Sequence, residues 1–296
     1  LPEYDLVVSD TTGNEERLAF LYRIGKIRRT ALAADVDIPM DEVQLTLRAN
    51  WKAFRDGLDE YGSNKTANPK YNERVRLPLP LGFDRAPHCV SFAAGSLAAP
   101  VEFVAFNAHI YYGKSKSDRT AEFVALLDWL YKRWSRFGRT FAPHFVIFGD
   151  MNAEVAADDL NTTRKELLEF IEKADADCRS RALRYASTKA EKELIQQQVT
   201  LMPFIQETKW LKPPPIGSNL GKDEHFDQII LMVRTLESKI PGPGLWGVGV
   251  LDIPELVSNA LNGNRSGQQT YEIERIKQQI SDHLPIWLRV ELRSPF

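Results

Sequence analysis

Four short stretches of the chain combine carboxylates, carboxamides and imidazoles at spacings that could serve one reaction. In Phe145-Val-Ile-Phe-Gly-Asp-Met-Asn152, an apolar strand-like run ends in Gly149 and then presents Asp150 and Asn152. Alternate residues leaving a strand point the same way, so this carboxylate and carboxamide could face one phosphate and its metal. A strand followed by an ordinary Asp/Asn turn accounts for the same residues equally well. Ser281-Asp-His-Leu-Pro285 offers Asp282 as a metal-facing carboxylate beside His283 as a base for water. In Phe226-Asp-Gln-Ile-Ile230, Asp227 stands where a strand begins and could hold a histidine in its working tautomer. Phe106-Asn-Ala-His109 places Asn107 and His109 at the end of another apolar run, just ahead of Arg119 and Glu122. A lone His or Asp at a strand end is commonly structural, so none of the four stretches decides anything alone.

The elements that would position these residues follow from hydrophobic periodicity. Short β-rich runs recur at Leu6 to Val8, Leu18 to Tyr22, Cys89 to Phe92, Val101 to Phe106, Phe145 to Phe148, Phe226 to Met232 and Pro285 to Leu292. Between two of them, Phe123, Leu126, Leu127, Leu130, Tyr131 and Trp134 fall at helical spacing on a helix beginning near Ser117. That stripe reads as core, and Tyr131 and Trp134 are assigned no catalytic role. A second helical stretch begins near Thr163, where Thr163 and Glu166 have capping-box spacing, and runs toward Gln198. Its charges, Arg179 to Glu193, read as a solvated face. A further helix is expected over Asp41 to Leu58, with Leu45, Leu47, Trp51, Phe54 and Leu58 apolar, followed by a loop from Tyr61 to Tyr71.

Composition bounds the rest. With 296 residues, 43% of them hydrophobic and 26% charged, the chain is ordinary for a globular protein with a sizeable core. A formal net charge of -2 excludes non-specific coating of nucleic acid by overall charge, though not a local basic contact. The two cysteines, Cys89 and Cys178, lack the spacing of a zinc site. No apolar run approaches a membrane span, and no targeting segment is recognisable, so no compartment is assigned.

Taken in order, the stretches resemble the endonuclease/exonuclease/phosphatase family, of which DNase I is a member. Tyr4-Asp-Leu-Val-Val-Ser9 with Glu16-Arg-Leu-Ala-Phe-Leu-Tyr22 is similar to the family's early strand pair. Arg85-Ala-Pro87 before Val90-Ser-Phe92 resembles its Arg-x-Pro strand. Asn107-Ala-His109, Gly149-Asp-Met-Asn152, Phe226-Asp-Gln-Ile229 and Ser281-Asp-His283 complete the order over most of the chain. The resemblance implies an α/β fold, a four-layer sandwich of two mixed β-sheets flanked by helices, as one domain over 1–296 with a helical insertion at about 154–200.

It also implies site roles. Asp150, Asn152 and Asn107 would bind or orient the scissile phosphate, with Arg85 as a phosphate-contacting arginine. Asp282 and Asp150 would hold the metal. His283 with Asp227 would form the general acid/base pair, and His109 would be a second histidine partnered by Glu16. Oxygen and imidazole donors without thiolates suit Mg²⁺ or Mn²⁺. The expected activity is metal-dependent hydrolysis of a phosphodiester by a His-activated water, with nucleic acid, DNA above all, as substrate. A phosphoinositide phosphatase or a sphingomyelinase is the runner-up, for which Leu245-Trp-Gly-Val248 in its Pro/Gly setting is the candidate membrane loop. A catalytically silent interaction domain comes third. The family's first strand and its Gln-Glu metal ligand would lie ahead of the region matching Tyr4, so an N-terminal segment is expected to be missing.

Overall fold

In the computed structural model, the described residues are 2–11, 15–68, 82–98, 100–111, 116–134, 141–152, 176, 179–180, 182–184, 186–196, 226–232, 245–251, 281 and 283–290. Within these, nothing is described of the side chains of 116–121, 134, 194, 196, 245–249 and 288–290. The fold is α/β. Strands β1 (Tyr4–Val8) and β2 (Ala19–Arg23) form an antiparallel ribbon. A five-stranded sheet follows, in the order β3 (Ile27–Asp35), β4 (His88–Ala94), β5 (Val101–His109), β6 (His144–Asp150), β7 (Asp227–Met232). It is mixed: β5 and β6 run parallel, and every other neighbouring pair is antiparallel. A second ribbon joins β8 (Leu245–Val250) to β9 (Ile286–Val290).

The parallel β5–β6 pair needs a crossover, and helix α3 (Lys116–Trp134) lies between its two strands in the chain. The helix buries Phe123, Leu126, Leu127, Leu130 and Tyr131 against Val104, Phe106, Ala108, Phe145 and Ile147. Each such side chain contributes about 1.5–3 kcal/mol when fully buried, which fixes the helix as one layer. On the opposite face of the sheet, Val7, Phe20 and Tyr22 of the first ribbon pack on Val90, Phe92 and Ala105. Val250 and Ile286 of the second ribbon lie against Ile229 and Leu231. Phe148 packs on Phe20 of the first ribbon and on the β7 residues that the second ribbon covers, so both ribbons lie over the same face of the central sheet. Helix, sheet and ribbons are the layers that the described residues make.

Several expectations are corrected. Strand β3 was not anticipated, because its Arg28, Arg29 and alanines lack an alternating apolar pattern. It is an edge strand with both arginines exposed and a bulge between Arg29 and Ala33, features that protect a sheet edge from further pairing. The Leu245 to Val248 segment is not a loop but the body of β8, paired with β9. The helix expected over Asp41 to Leu58 is two helices, α1 (Met40–Ala49) and α2 (Trp51–Ala67), meeting at Asn50. Helical backbone therefore continues through most of the Tyr61 to Tyr71 stretch expected to be a loop. Neither helix buries a residue fully, and Leu45, Trp51 and Leu58 are exposed. The start near Thr163 and the side chain of Trp134 lie outside the described residues. Within the second helical stretch, α4 (Lys189–Gln196) is observed, and its own capping box is Thr188 with Glu191. Glu191 N–H donates to Thr188 Oγ1 at 3.1 Å, and Thr188 N–H donates to Glu191 Oε2 at 3.0 Å. Ala182 and Ile195 are buried in the same core cluster as the α3 residues.

Candidate active site

The register of the central sheet sets three of the expected residues in one row. His109 is the neighbour of Asp150 across the β5–β6 pair, and Asp150 is the neighbour of Asp227 across β6–β7. Because residues in register share a face, all three project to the side covered by the ribbons. The row lies at the carboxyl ends of the parallel pair, where α/β sheets commonly form their clefts.

Local backbone geometry explains the glycine and the asparagine that flank Asp150. Gly149 has φ +136°, and a Cβ placed on it would lie 2.0 Å from the Ala108 carbonyl oxygen. Only glycine permits β6 to pass β5 so closely just before Asp150. Asn152 adopts φ 47°, a left-handed conformation that asparagine tolerates better than most residues. Its N–H donates to Asp150 Oδ1 at 2.8 Å, and its Nδ2 donates to the Ile110 carbonyl at 2.6 Å. Asn152 is thus buried in a turn that braces Asp150.

Two histidines flank Asp150, each held by its own carboxylate. His283 Nδ1 lies 2.7 Å from Asp227 Oδ2, while its Nε2 faces Asp150 Oδ2 at 3.7 Å. The His283 N–H donates to Ser281 Oγ at 3.0 Å, and the Phe226 ring lies beside the imidazole with centroids 5.7 Å apart. On the other side, His109 Nδ1 lies 2.7 Å from Glu16 Oε2 and its Nε2 is 3.4 Å from Asp150 Oδ2. In the His283–Asp227 couple, an Nδ1 paired with a carboxylate carries the ring proton, which presents Nε2 as a proton acceptor. The Glu16 carboxylate is shared with Arg85, whose Nε approaches Oε2 at 3.1 Å. That contact has ion-pair distance without hydrogen-bond alignment, and Arg85 is buried with Nη1 likewise lacking a hydrogen-bond partner. Asn107 Nδ2 donates to the Ala19 carbonyl at 3.1 Å and ties β5 to the first ribbon beside the site. Glu15, next to Glu16, has φ 61°, a strained choice for a residue of this kind and one often found at functional sites.

The electrostatics of Asp150 bear on metal binding. Burial raises its carboxyl above the ordinary value, and the nearby Asp227 carboxylate raises it further. The Asn152 N–H and the two histidines oppose that rise. A divalent cation would relieve both causes, since it favours the charged carboxylate. Ligand atoms of Asp150, Asp227 and His283 lie within 4.8 Å of one another, a group that could hold a metal ion. Its oxygen and imidazole donors fit a hard cation. Asp282, the other expected ligand, lies outside the described residues.

The sequence-expected residues Glu16, Arg85, Asn107, His109, Asp150, Asn152, Asp227 and His283 therefore gather at one end of the sheet. Two further buried polar groups near the site, Glu122 and His88, were given no role in the sequence reading. Glu122, on α3, accepts N–H bonds from the backbone of both Asp84 and Tyr111. His88 is buried, with Nδ1 2.6 Å from Asp35 Oδ1, one step back along the sheet opposite Asn107. A charged residue inside an apolar helical stripe is the signal that could have found Glu122. For His88, the unrecognised strand β3 hid its partner.

No protein-family model and no curated protein matches the chain. Among solved structures, the chain is similar to a mannosyl-6-phosphatase from Bacteroides thetaiotaomicron, at 13% identity and a TM-score of 0.44, covering 99% of this chain and 78% of that one. It is similar to an endonuclease/exonuclease/phosphatase from Bacteroides vulgatus at 12% identity and a TM-score of 0.44, again over 99% and 78%. ANGEL2, described as a 2',3'-cyclic phosphatase, resembles it at 12% identity and a TM-score of 0.42, over 97% and 74%. Solved structures resembling the chain over nearly its whole length thus include endonuclease/exonuclease/phosphatase family proteins, at low identity.

Proposed function

We propose that the chain is a metal-dependent phosphodiester hydrolase whose substrate is nucleic acid, DNA above all. The observation that carries this reading is the pair of His–carboxylate couples, His283–Asp227 and His109–Glu16, on either side of Asp150. One couple serves the attacking water, and the other faces the charge that develops on the phosphoryl oxygens. Asp227 fixes the His283 proton on Nδ1, so Nε2 takes a proton from water as the new O–P bond forms and the bond to the leaving oxygen breaks. His109, oriented by Glu16, and Arg85 stabilise the negative charge of the pentacoordinate phosphorus. Asn152 acts on the phosphate through Asp150, which its turn braces, and Asn107 lies beside them. No covalent intermediate with the protein is needed.

Asp150 with Asp282 would hold the ion, Mg²⁺ or Mn²⁺, while Asp227 and His283, the other members of the Asp150 cluster, are kept for the proton. When bound, the ion supplies Lewis-acid polarisation of the phosphoryl group. The nuclease reading is preferred over the lipid phosphoesterases because Glu16, His109 and Arg85 form one contiguous ion-paired group, the feature by which the sequence resembles DNase I. The Leu245 to Val248 segment, paired into β8, gives the membrane-loop reading no support.

The test is hydrolysis of supercoiled plasmid DNA by the purified protein, with Mg²⁺, with Mn²⁺ and with EDTA, beside phosphoinositide and sphingomyelin substrates. Cation-dependent nicking of plasmid is expected. Turnover of a lipid substrate alone would replace the nuclease reading with the lipid one, and absence of any phosphodiester turnover would remove the enzymatic reading.

A further inference from the structure

Glu122 is a carboxylate 5% exposed on the inner side of α3, among the apolar residues that hold the helix to the sheet. Its two oxygens serve different segments of the site. Oε1 accepts the Asp84 N–H at 2.8 Å, immediately before Arg85. Oε2 accepts the Tyr111 N–H at 2.5 Å, two residues after His109. Arg85 and His109 in turn converge on the same oxygen of Glu16. The Arg85 stretch before β4 and the His109 end of β5 thus meet twice, once through backbone at Glu122 and once through side chains at Glu16. Burial raises the Glu122 carboxyl above its ordinary value, against the opposing pull of the two N–H donors and of the Arg85 charge. A buried carboxylate is costly to keep, and a helix facing a sheet needs none for packing.

We infer that Glu122 is a positioning residue, a clip that fixes Arg85 and His109 in mutual register for the phosphate. This rests on the phosphodiesterase reading, and it adds to it the element that sets the geometry of the charge-stabilising half. Glu122 touches no substrate. It acts through the backbones of Asp84 and Tyr111, and both oxygens are needed because each serves one segment.

Glu122→Gln tests the inference, since an amide keeps one acceptor and turns a donor toward the other N–H. Three quantities would be read for the wild type, Glu122→Gln and the core control Leu127→Ala. They are kcat/KM on plasmid DNA, hydrogen exchange of the Asp84 and Tyr111 amides, and the Nδ1 nitrogen resonance of His109, which reports its contact with Glu16. For Glu122→Gln, faster exchange of at least one amide, a moved His109 resonance and a fall in kcat/KM of about 10- to 100-fold are expected. Leu127→Ala should lower the thermal midpoint and leave the resonance and the kcat/KM of the folded protein as in wild type. Should Glu122→Gln not fold, Glu122→Asp, which keeps both oxygens on a shorter stem, carries the same comparison. Folded variant with both spectroscopic readouts unmoved would overturn the inference, whatever its activity. If the wild type cleaves no phosphodiester, the functional reading fails, while exchange and the His109 resonance still decide whether the clip exists.

Discussion

At Gly149 a methyl group would meet the Ala108 carbonyl oxygen at 2.0 Å, and the backbone there already has φ +136°. Steric overlap and a disfavoured conformation act together, so Gly149→Ala should cost about 2–5 kcal/mol. Chemical denaturation with the wild type alongside measures it, and a loss below about 1 kcal/mol would contradict the tight β5–β6 approach. Cys89 makes a different prediction. Burial pushes its thiol up to about 11, so the folded protein keeps it protonated at pH 8, and in a Cys178→Ser background a disulfide reagent should react with Cys89 only on unfolding. A folded pKa above the unfolded one favours the native state fully below the unfolded value. That advantage, about 2–3 kcal/mol, is lost as pH rises from about 9 through about 11. Denaturation of wild type and Cys89→Ala across pH 8 to 11 should show the wild type losing stability relative to the variant, and parallel curves would refute it. At this scale the sequence was informative about residue type, since Asp150, Asn152, Asp227, His109 and His283 stand in runs that announce strand ends. It was silent on how Asn152 spends its amide, because the acceptor, Ile110, is 42 residues away.

Helix α3 was legible because its apolar residues recur at 3.6-residue spacing, and the structure buries Leu126, Leu127 and Leu130 completely against the sheet. Leu127→Ala should therefore cost about 2–5 kcal/mol by leaving a cavity. A shift in thermal midpoint of under a degree would place Leu127 outside the core. The strands with strong apolar runs were equally legible, and their ends moved by at most a few residues. Strand β3 was not, since an edge strand rich in charge and alanine has no period-two signature; its pairing with β4 exists only in three dimensions. Helices α1 and α2 show the converse. Leu45, Trp51 and Leu58 marked the helical stretch, and they are exposed, because helical periodicity reports where apolar residues lie and not what covers them.

Across the whole molecule, the sheet register does what no local reading could. Asp150, His109 and Asp227 become neighbours only because β5 and β6 run parallel and β6 and β7 antiparallel, with Gly149 held against Ala108. His283 then reaches the row from just ahead of β9, where the second ribbon packs on β7. The order of motifs indicated that these residues belong together, while distances, the sharing of Glu16 and the bracing of Asp150 came from the fold. The proposed reaction turns on His283, held by Asp227, taking the proton from the attacking water. The direct measurement is kcat for cation-dependent plasmid cleavage by His283→Ala beside wild type, with thermal unfolding as the control for folding. A loss of roughly 10²- to 10⁴-fold, about 3–5 kcal/mol of barrier, is the predicted result for a removed general base. Folded His283→Ala protein that cleaves plasmid at the wild-type rate would rule out His283 as the base.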